Sequence, residues 1–350
     1  MVRKPPLDKA TAELIAKLEP ALRKAFLAAI EDMRDGVDTK ALKTALERGD
    51  INGAIEALDI SPASFREYLT ARQAAFGEAG ALAASYIPTT EAGAVQFRFD
   101  LTNPRAERWI REEAARTITG LTEEVRQTAR ETIVEGYAQG RGPNDIATDL
   151  SGRVSRTTGK RTGGVIGLSS PQEDYVQSMR HRLESGDPEE MRKVFNMTRR
   201  DKRFDATIRK AIEAGKPVAK ADIAKMTQRY SDKLLKKRAE DIARTETAQS
   251  VESARQEAFA QAIEKEGLPE EAVSKTWLHN GGSENARDQH LAMNGEKVEG
   301  INASFTLPDG TAMKHTHDPA GGAKHNVSCR CSTRYEVDFT YGRKRNDPDT

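Results

Sequence analysis

Apolar residues in the first 267 positions recur at three- and four-residue steps, and this spacing predicts amphipathic helices. Ala, Leu, Glu, Lys, Arg and Gln dominate this stretch, and they lose little side-chain entropy in a helix. Capping residues followed by proline, as in Asn103-Pro104 and Asp187-Pro188, mark helix starts. The pattern predicts helices over residues 8–34, 39–58, 62–86, 104–118, 122–139, 143–152, 171–185, 188–213 and 219–266.

The longest predicted helix, 219–266, carries one apolar stripe that runs from Ile223 to Ala258. Its pattern favours a long bundle helix over a coiled coil. Two stretches break the helical pattern. Residues 87–102 look extended, and residues 153–170 are rich in Arg, Thr, Gly and Ser, which predicts a polar, flexible connector.

After Gly267 the pattern changes to aromatic and β-branched residues that alternate with polar ones, which predicts short strands in 273–279, 303–307 and 333–341. The sequence therefore predicts a mainly α protein, with an elongated multi-helix body and a small C-terminal α+β domain. We expect four regions: an N-terminal helical region (1–96), a helical segment with a connector (97–160), a helical region with a basic middle and the long helix (161–267), and the small domain with a tail (268–350).

Composition narrows the function classes. The 350 residues include 55 Lys and Arg, 54 Asp and Glu, and two cysteines, so neither a uniformly basic coat nor a disulfide framework is expected. Since there is no run of about 18 apolar residues, we expect no membrane span and no membrane partner.

The net charge of the whole chain is close to zero, but one segment in its middle is basic. Residues 199–244 hold 15 Lys and Arg against 7 Asp and Glu. Such a segment is predicted to bind the phosphate backbone of double-stranded DNA, with an affinity that falls steeply as the salt concentration rises. It could equally bind an acidic protein surface. The alternative is a solvated helical face. The predicted contact residues are Arg199, Arg200, Lys202, Arg203, Lys233, Lys236, Lys237 and Arg238.

Four of the six histidines and both cysteines lie between positions 290 and 331. Thiolate and imidazole are the usual zinc donors, and a Cys-x-Cys pair on an extended segment places both sulfurs on one face. We therefore consider a zinc site formed by His290, His317, Cys329 and Cys331. The alternative is two small buried thiols that pack the domain, with His315 and His317 on a solvated loop.

Three further residues of this region have predicted structural roles. Trp277 is expected to anchor the small core, and Arg287 to share a helical face with His290 or to lie on an exposed turn. Arg330, between the cysteines, should point away from them, toward solvent or a partner.

Several motifs, in their order along the chain, resemble the phage Mu F-like minor head protein family, which is also described as similar to the SPP1-type head morphogenesis protein. The motifs are Ile242-Ala243-Arg244-Thr245-Glu246-Thr247, Lys275-x-Trp277, Arg287-x-x-His290, Asn294-Gly295, Phe305-x-x-Pro308-x-Gly310, Asp318-Pro319 and Cys329-Arg330-Cys331.

This resemblance implies a structural virion protein without enzymatic activity, at the portal vertex of a tailed bacteriophage head. It implies roles in procapsid assembly and in DNA packaging or ejection. It also implies that the protein is located in the host cytoplasm during assembly. The implied partners are the portal protein and a scaffold or major capsid protein.

Two other functions stay open. One is a metal-dependent nuclease of His-Asn-His type in the C-terminal domain, although no capped helix after His325 is predicted to carry its second histidine. The other is a host-side adaptor built on the long helix.

Overall fold

The computed structural model describes residues 5–88, 97–281 and 286–342. These residues are mainly helical, as predicted. The α-helices are α1 (Leu7–Asp35), α2 (Thr39–Glu47), α3 (Ile51–Glu56), α4 (Arg66–Ala84), α5 (Pro104–Ala138), α6 (Pro143–Ser151), α7 (Ser170–Glu184), α8 (Pro188–Lys193), α9 (Asp205–Ala214), α10 (Lys220–Lys265), α11 (Asp288–Ala292) and α12 (Gly322–Asn326). No helix in the described ranges is both long and apolar enough to cross a bilayer.

The strands are short, and most of them lie near the C-terminus, as predicted. They are β1 (Arg153–Val154), β2 (Arg161–Thr162), β3 (Val273–Leu278), β4 (Lys297–Glu299), β5 (Phe305–Thr306), β6 (Ala312–Met313) and β7 (Ser332–Val337). The largest sheet has the antiparallel order β4-β3-β7, in which Leu278 pairs with Ser332. This register brings the end of β3 beside the start of β7.

Three predicted helix boundaries are wrong. The stretch 39–58 contains two helices, since Gly49 adopts a φ of +70° and the Asp50 side chain caps the next helix. The stretch 188–213 is interrupted between α8 and α9. Conversely, α5 joins the two predicted helices 104–118 and 122–139 and continues through Gly120, because one glycine costs a long helix only about 1 kcal/mol.

The predicted connector, 153–170, has more structure than its polar composition indicates. It contains the β1–β2 hairpin and three buried apolar residues, Val165, Ile166 and Leu168. The Arg34 side chain donates to the Ile166 carbonyl at 2.9 Å, so this segment is packed rather than flexible. Of the stretch predicted to be extended, residues 89–96 lie outside the described residues.

The chain divides into two compact units. Unit 1 comprises Met1–Lys24, Tyr68–Ala114 and Glu240–Thr350, and unit 2 comprises Ala25–Glu67 and Ala115–Ala239. Each unit therefore combines segments that are distant in sequence. The division into four consecutive regions stays a prediction.

The core of unit 1 joins the last turns of α10 to the C-terminal sheet. The Phe259 and Tyr335 rings stack with centroids 4.9 Å apart, and Ile263 and Val273 lie in the same buried cluster. Burial of these side chains is the main stabilising term for the sheet, because a three-stranded sheet needs a packed face for stability. The C-terminal strands thus depend on the long helix.

A buried charge network also lies in unit 1. Arg72 of α4 donates from Nη2 to Glu113 of α5 at 3.2 Å and to Gln249 of α10 at 3.2 Å, and it pairs with Glu246 at 2.8 Å. Burial acts to lower the pKa of Arg72, but the two carboxylates and Tyr68 raise it above its ordinary value. Glu246 belongs to a motif of the resemblance, and its structural role is to hold this arginine.

In unit 2, the Glu173 carboxyl group of α7 is buried and accepts a hydrogen bond from Gln177 at 2.6 Å. Burial raises its pKa from 4.5 to about 7. The folded state therefore binds the proton more tightly than the unfolded state does, so this group lowers stability increasingly from pH 4.5 to 7 and fully above pH 7.

We expect Glu173→Gln to raise the free energy of unfolding by about 2 kcal/mol at pH 8 and by much less at pH 5. Denaturant unfolding at both pH values measures the difference. Glu189→Gln, which changes an exposed carboxylate of α8, is the control and should show no such pH dependence. An equal effect of Glu173→Gln at both pH values would contradict the assignment.

Candidate metal centre

Three donor atoms from distant parts of the C-terminal sequence meet in the core of unit 1. The ligand atoms of His290, Cys329 and Cys331 all lie within 4.8 Å of one another, and all three side chains are buried. The His290 Nδ1 atom is 3.4 Å from Cys329 Sγ and 3.7 Å from Cys331 Sγ. A cluster of two thiols and one imidazole is typical of a site for a thiophilic metal ion.

Short local elements position these side chains. His290 lies on α11, a helix of five residues, and the cysteines follow the turn after α12 and immediately precede β7. The cysteine segment therefore lies outside the strand, which starts at Ser332. The backbone of Ser328, next to Cys329, adopts a φ of +55°, which is uncommon for a residue with a side chain.

A further imidazole, that of His279, follows the end of β3 and lies outside the group of three whose ligand atoms are all within 4.8 Å of one another. Its Nδ1 atom lies 3.6 Å from Cys331 Sγ. The pairing of Leu278 with Ser332 explains this position, because the next residue of β3 then lies beside Cys331. His279 is not among the ligands predicted from the sequence, although it shares the period-two face of Trp277.

His317, the fourth donor expected from the sequence, lies next to the cluster. Its Nε2 atom is 3.1 Å from the backbone oxygen of Cys331, so its ring supports the cysteine segment. Burial acts to lower the pKa of His317, but the adjacent Cys329 and Glu252 raise it. The role of His317 as a ligand stays a prediction.

A hydrogen-bond chain fixes the tautomer of His290. Asp309 Oδ2 lies 3.0 Å from His325 Nε2, and His325 Nδ1 lies 3.2 Å from His290 Nε2. Since a carboxylate only accepts, His325 donates to it from Nε2, and with this single ring proton its Nδ1 accepts from the N–H of His290. The lone pair on His290 Nδ1 then faces the sulfurs, as a metal ligand requires.

The two thiols differ in their proton affinity. The hydrogen bond from Cys331 and the adjacent His317 lower the pKa of Cys329 well below its usual range. The contact with Cys329, burial and the charge on that sulfur raise the pKa of Cys331. A bound cation would favour the deprotonated form of both sulfurs.

Aromatic packing and a lysine enclose the cluster. Trp277 is fully buried, as expected, and meets the rings of His290 and Phe305 edge-on at 5.4 and 5.5 Å. Lys275, also fully buried, donates from Nζ to the carbonyls of Ile301 at 2.9 Å, Lys314 at 2.7 Å and Ala303 at 2.5 Å. These three bonds tie β3 to the loops around the site.

The remaining structural predictions have mixed outcomes. Arg330 is exposed, as expected for a residue whose neighbours point inward. Arg287 precedes α11 and donates to the Val327 carbonyl at 2.8 Å, which holds the turn before the cysteines. The expectation that His315 and His317 lie on a solvated loop is wrong, because their exposed fractions are 5% and 2%.

The basic residues of unit 2 are partly engaged within the unit. Arg200 binds Asp205 at 2.9 Å, and Arg203 binds Asp201 at 2.6 Å. Other contacts link Lys233 to the Arg200 carbonyl at 3.1 Å and the buried Arg238 to Glu124 at 2.6 Å. Lys202 and Lys236 are exposed, whereas Arg199 and Lys237 are half-buried. Binding of the DNA backbone by this segment stays a prediction, and a salt titration with duplex DNA measures it.

A scan against protein-family models, a search of curated proteins and a search of solved structures find no match for this chain.

Proposed function

We propose that the C-terminal part of the chain binds one structural Zn²⁺ through Cys329, Cys331, His290 and His279. The spacing of the donor atoms carries this proposal. Typical zinc–sulfur and zinc–nitrogen bonds of about 2.3 and 2.0–2.1 Å give a tetrahedral sulfur–nitrogen edge of about 3.5 Å. His290 Nδ1 lies 3.4 and 3.7 Å from the two sulfurs, and His279 Nδ1 joins this set through Cys331 Sγ, from which it lies 3.6 Å away.

The donor set favours a structural role. Four protein ligands leave no open coordination position for water or substrate, and a nuclease would need one. The ion would supply a cross-link between the end of β3, α11 and the cysteine segment. In this small domain, which has few apolar residues, such a cross-link contributes directly to folding stability.

The choice between His279 and His317 as the fourth ligand gives a direct prediction. His279→Ala should lower zinc affinity by about 100-fold or more, because it removes a ligand, whereas His317→Gln should retain one equivalent. Competition with a chromogenic chelator measures the affinity, and elemental analysis measures the stoichiometry. His181→Gln, on the exposed face of α7, is the control.

Zinc retention by His279→Ala together with loss by His317→Gln would assign the fourth ligand to His317. Absence of zinc from the unmodified protein, purified without chelators and offered zinc, would remove the metal proposal.

For the whole chain, we propose a structural minor head protein of a tailed bacteriophage, located at the portal vertex and active in procapsid assembly and in DNA packaging or delivery. The convergence of the resemblance motifs supports this role. Trp277, Arg287, His290, Cys329 and Cys331 contribute to one buried site although they span more than 50 residues. The residues of these motifs thus pack into one module, as expected of a structural component of a virion.

Quantitative mass spectrometry of purified particles tests this role. We expect the chain in mature heads at a copy number far below that of the major capsid protein, and in association with the portal after mild disruption. Its absence from both procapsids and mature particles would favour the host-side adaptor. Cleavage of DNA by the purified protein with a divalent metal would favour the nuclease.

A further inference from the structure

One histidine of the C-terminal cluster, His325, is buried beside the proposed zinc site but is not one of its ligands. Its exposed fraction is 1%, and its ring lies nearly parallel to that of His290, with the centroids 5.4 Å apart. Both of its ring nitrogens are engaged, Nδ1 with His290 at 3.2 Å and Nε2 with Asp309 at 3.0 Å. The contribution of His325 to the site therefore passes through His290.

A tight turn between β5 and β6 presents the Asp309 carboxylate to His325. The turn is closed by a hydrogen bond from the Gly310 N–H to the Leu307 carbonyl at 2.8 Å, and Gly310 adopts a φ of +85°, which favours glycine. The Asp309 Oδ1 atom accepts from the Thr311 N–H at 3.0 Å. This contact orients the carboxylate so that its Oδ2 atom meets His325.

The Asp309 carboxylate is also kept ionised. Lys324 Nζ donates to its Oδ2 atom at 2.5 Å. The hydrogen bonds from Lys324 and from the Thr311 N–H hold the pKa of Asp309 well below its ordinary range. Since an ionised carboxylate only accepts hydrogen bonds, the proton between Asp309 and His325 stays on the imidazole.

Close packing fixes the His325 ring in this position. A side chain at Gly321 would place its Cβ atom 3.2 Å from His325 Cβ and 2.7 Å from Met313 Cε. The next residue along the chain, Asn326, donates from Nδ2 to the Asp318 carbonyl at 2.6 Å and anchors the end of α12. The imidazole is therefore held from both sides, and it has little freedom to turn away from His290.

We propose that Asp309, acting through His325, is a positioning residue that sets the affinity of the site for zinc. The two hydrogen bonds keep the ring proton of His290 on Nε2 and hold the ring so that Nδ1 faces the sulfurs. A carboxylate at the end of such a chain also makes the imidazole a more basic ligand. This inference rests on the proposed zinc site, and it gives Asp309 and His325 a role in metal binding although neither is a ligand.

Zinc affinity of the full chain, measured by competition with a chromogenic chelator, tests the proposal. Asp309→Asn should still bind one equivalent of zinc, but about 10- to 100-fold more weakly, as is typical when a ligating histidine loses its supporting carboxylate. His325→Leu should weaken binding at least as much, because His290 then loses its acceptor. If His325→Leu fails to fold, Asp309→Asn carries the test alone, since it changes a partly exposed side chain on a turn.

Lys324→Gln is the matched control, because it removes the other side-chain partner of Asp309 and leaves the hydrogen-bond chain to His290 in place. Its zinc affinity should stay within about fivefold of the parent value, as expected for a pair with an exposed lysine. A loss in Lys324→Gln equal to that in Asp309→Asn would overturn the proposal, because the ion pair would then be what supports the site.

NMR of protein labelled with ¹⁵N-histidine, at saturating zinc, gives a readout that reduced stability alone would not change. The Nε2–H resonance of His290 should move upfield in Asp309→Asn, because its hydrogen bond to His325 weakens, and should stay in place in Lys324→Gln. A parent protein that binds no zinc would remove both the zinc site and this inference. A parent that binds zinc, with an unchanged affinity or an unchanged His290 resonance in Asp309→Asn, would overturn only the role of Asp309.

Discussion

A Cys331→Ser variant is expected to lose its zinc and to unfold in the C-terminal part of the chain at a temperature lower by about 10 °C or more. Cys331 is the residue with the most connections in the proposed site, since its sulfur lies within 3.7 Å of both His279 and His290. A serine hydroxyl is a poor zinc ligand, so the cross-link between β3, α11 and β7 would be lost.

Two measurements detect the effect of Cys331→Ser. Elemental analysis reports the zinc content, and the fluorescence of Trp277 reports the packing around His290, from which its ring centroid is 5.4 Å away. Trp109 is the second tryptophan, so a Trp109→Phe background isolates the signal. A chelator added to the parent protein should reproduce the Cys331→Ser spectrum, and zinc should reverse it only in the parent.

The control for this experiment is Ser328→Ala, a neighbouring hydroxyl change outside the donor set. It should keep one equivalent of zinc and most of its thermal stability. A Cys331→Ser protein with unchanged zinc content and an unchanged unfolding midpoint would contradict the structural role of the site.

The second large effect is expected from Arg72→Met in the buried network of unit 1. Arg72 is 3% exposed and contacts the carboxylates of the buried Glu113 and the half-buried Glu246, so its removal takes this cation away from both. Breaking a buried ion pair on one side costs about 3–5 kcal/mol. We expect a loss of this size at pH 8, measured by denaturant unfolding.

The loss should depend on pH with a definite sign. Burial raises the pKa of Glu246 even beside Arg72, and without that cation the carboxyl group would hold its proton at still higher pH. Acidification therefore protonates Glu246 more readily in Arg72→Met than in the parent protein, so the deficit of Arg72→Met should shrink as the pH falls.

Arg72→Met/Glu246→Gln provides the rescue, because it removes one of the two carboxylates that lose Arg72 and should recover part of the stability at pH 8. Arg23→Met, which breaks an exposed pair with Glu240 at 3.9 Å, is the control and should change stability by less than about 1 kcal/mol. Equal losses in Arg72→Met and Arg23→Met would show that the network contributes little.

The sequence predicted the fold class well because its signals are local. The apolar stripe from Ile223 to Ala258 needs only a period of 3.6 residues, and it placed α10 within one residue at each end. Breaks that depend on one left-handed residue, such as Gly49, were missed, because the sequence does not show the backbone conformation that a glycine adopts.

By itself, the sequence determined the helical body, the change to strands after Gly267 and the chemistry of a Cys-x-Cys pair near histidines. Only the tertiary structure decided which donors meet. The register of β3 against β7 brings His279 beside Cys331, and packing buries His317 and Arg238. Register and burial arise from contacts between distant segments, and residue spacing along the chain carries little information about such contacts.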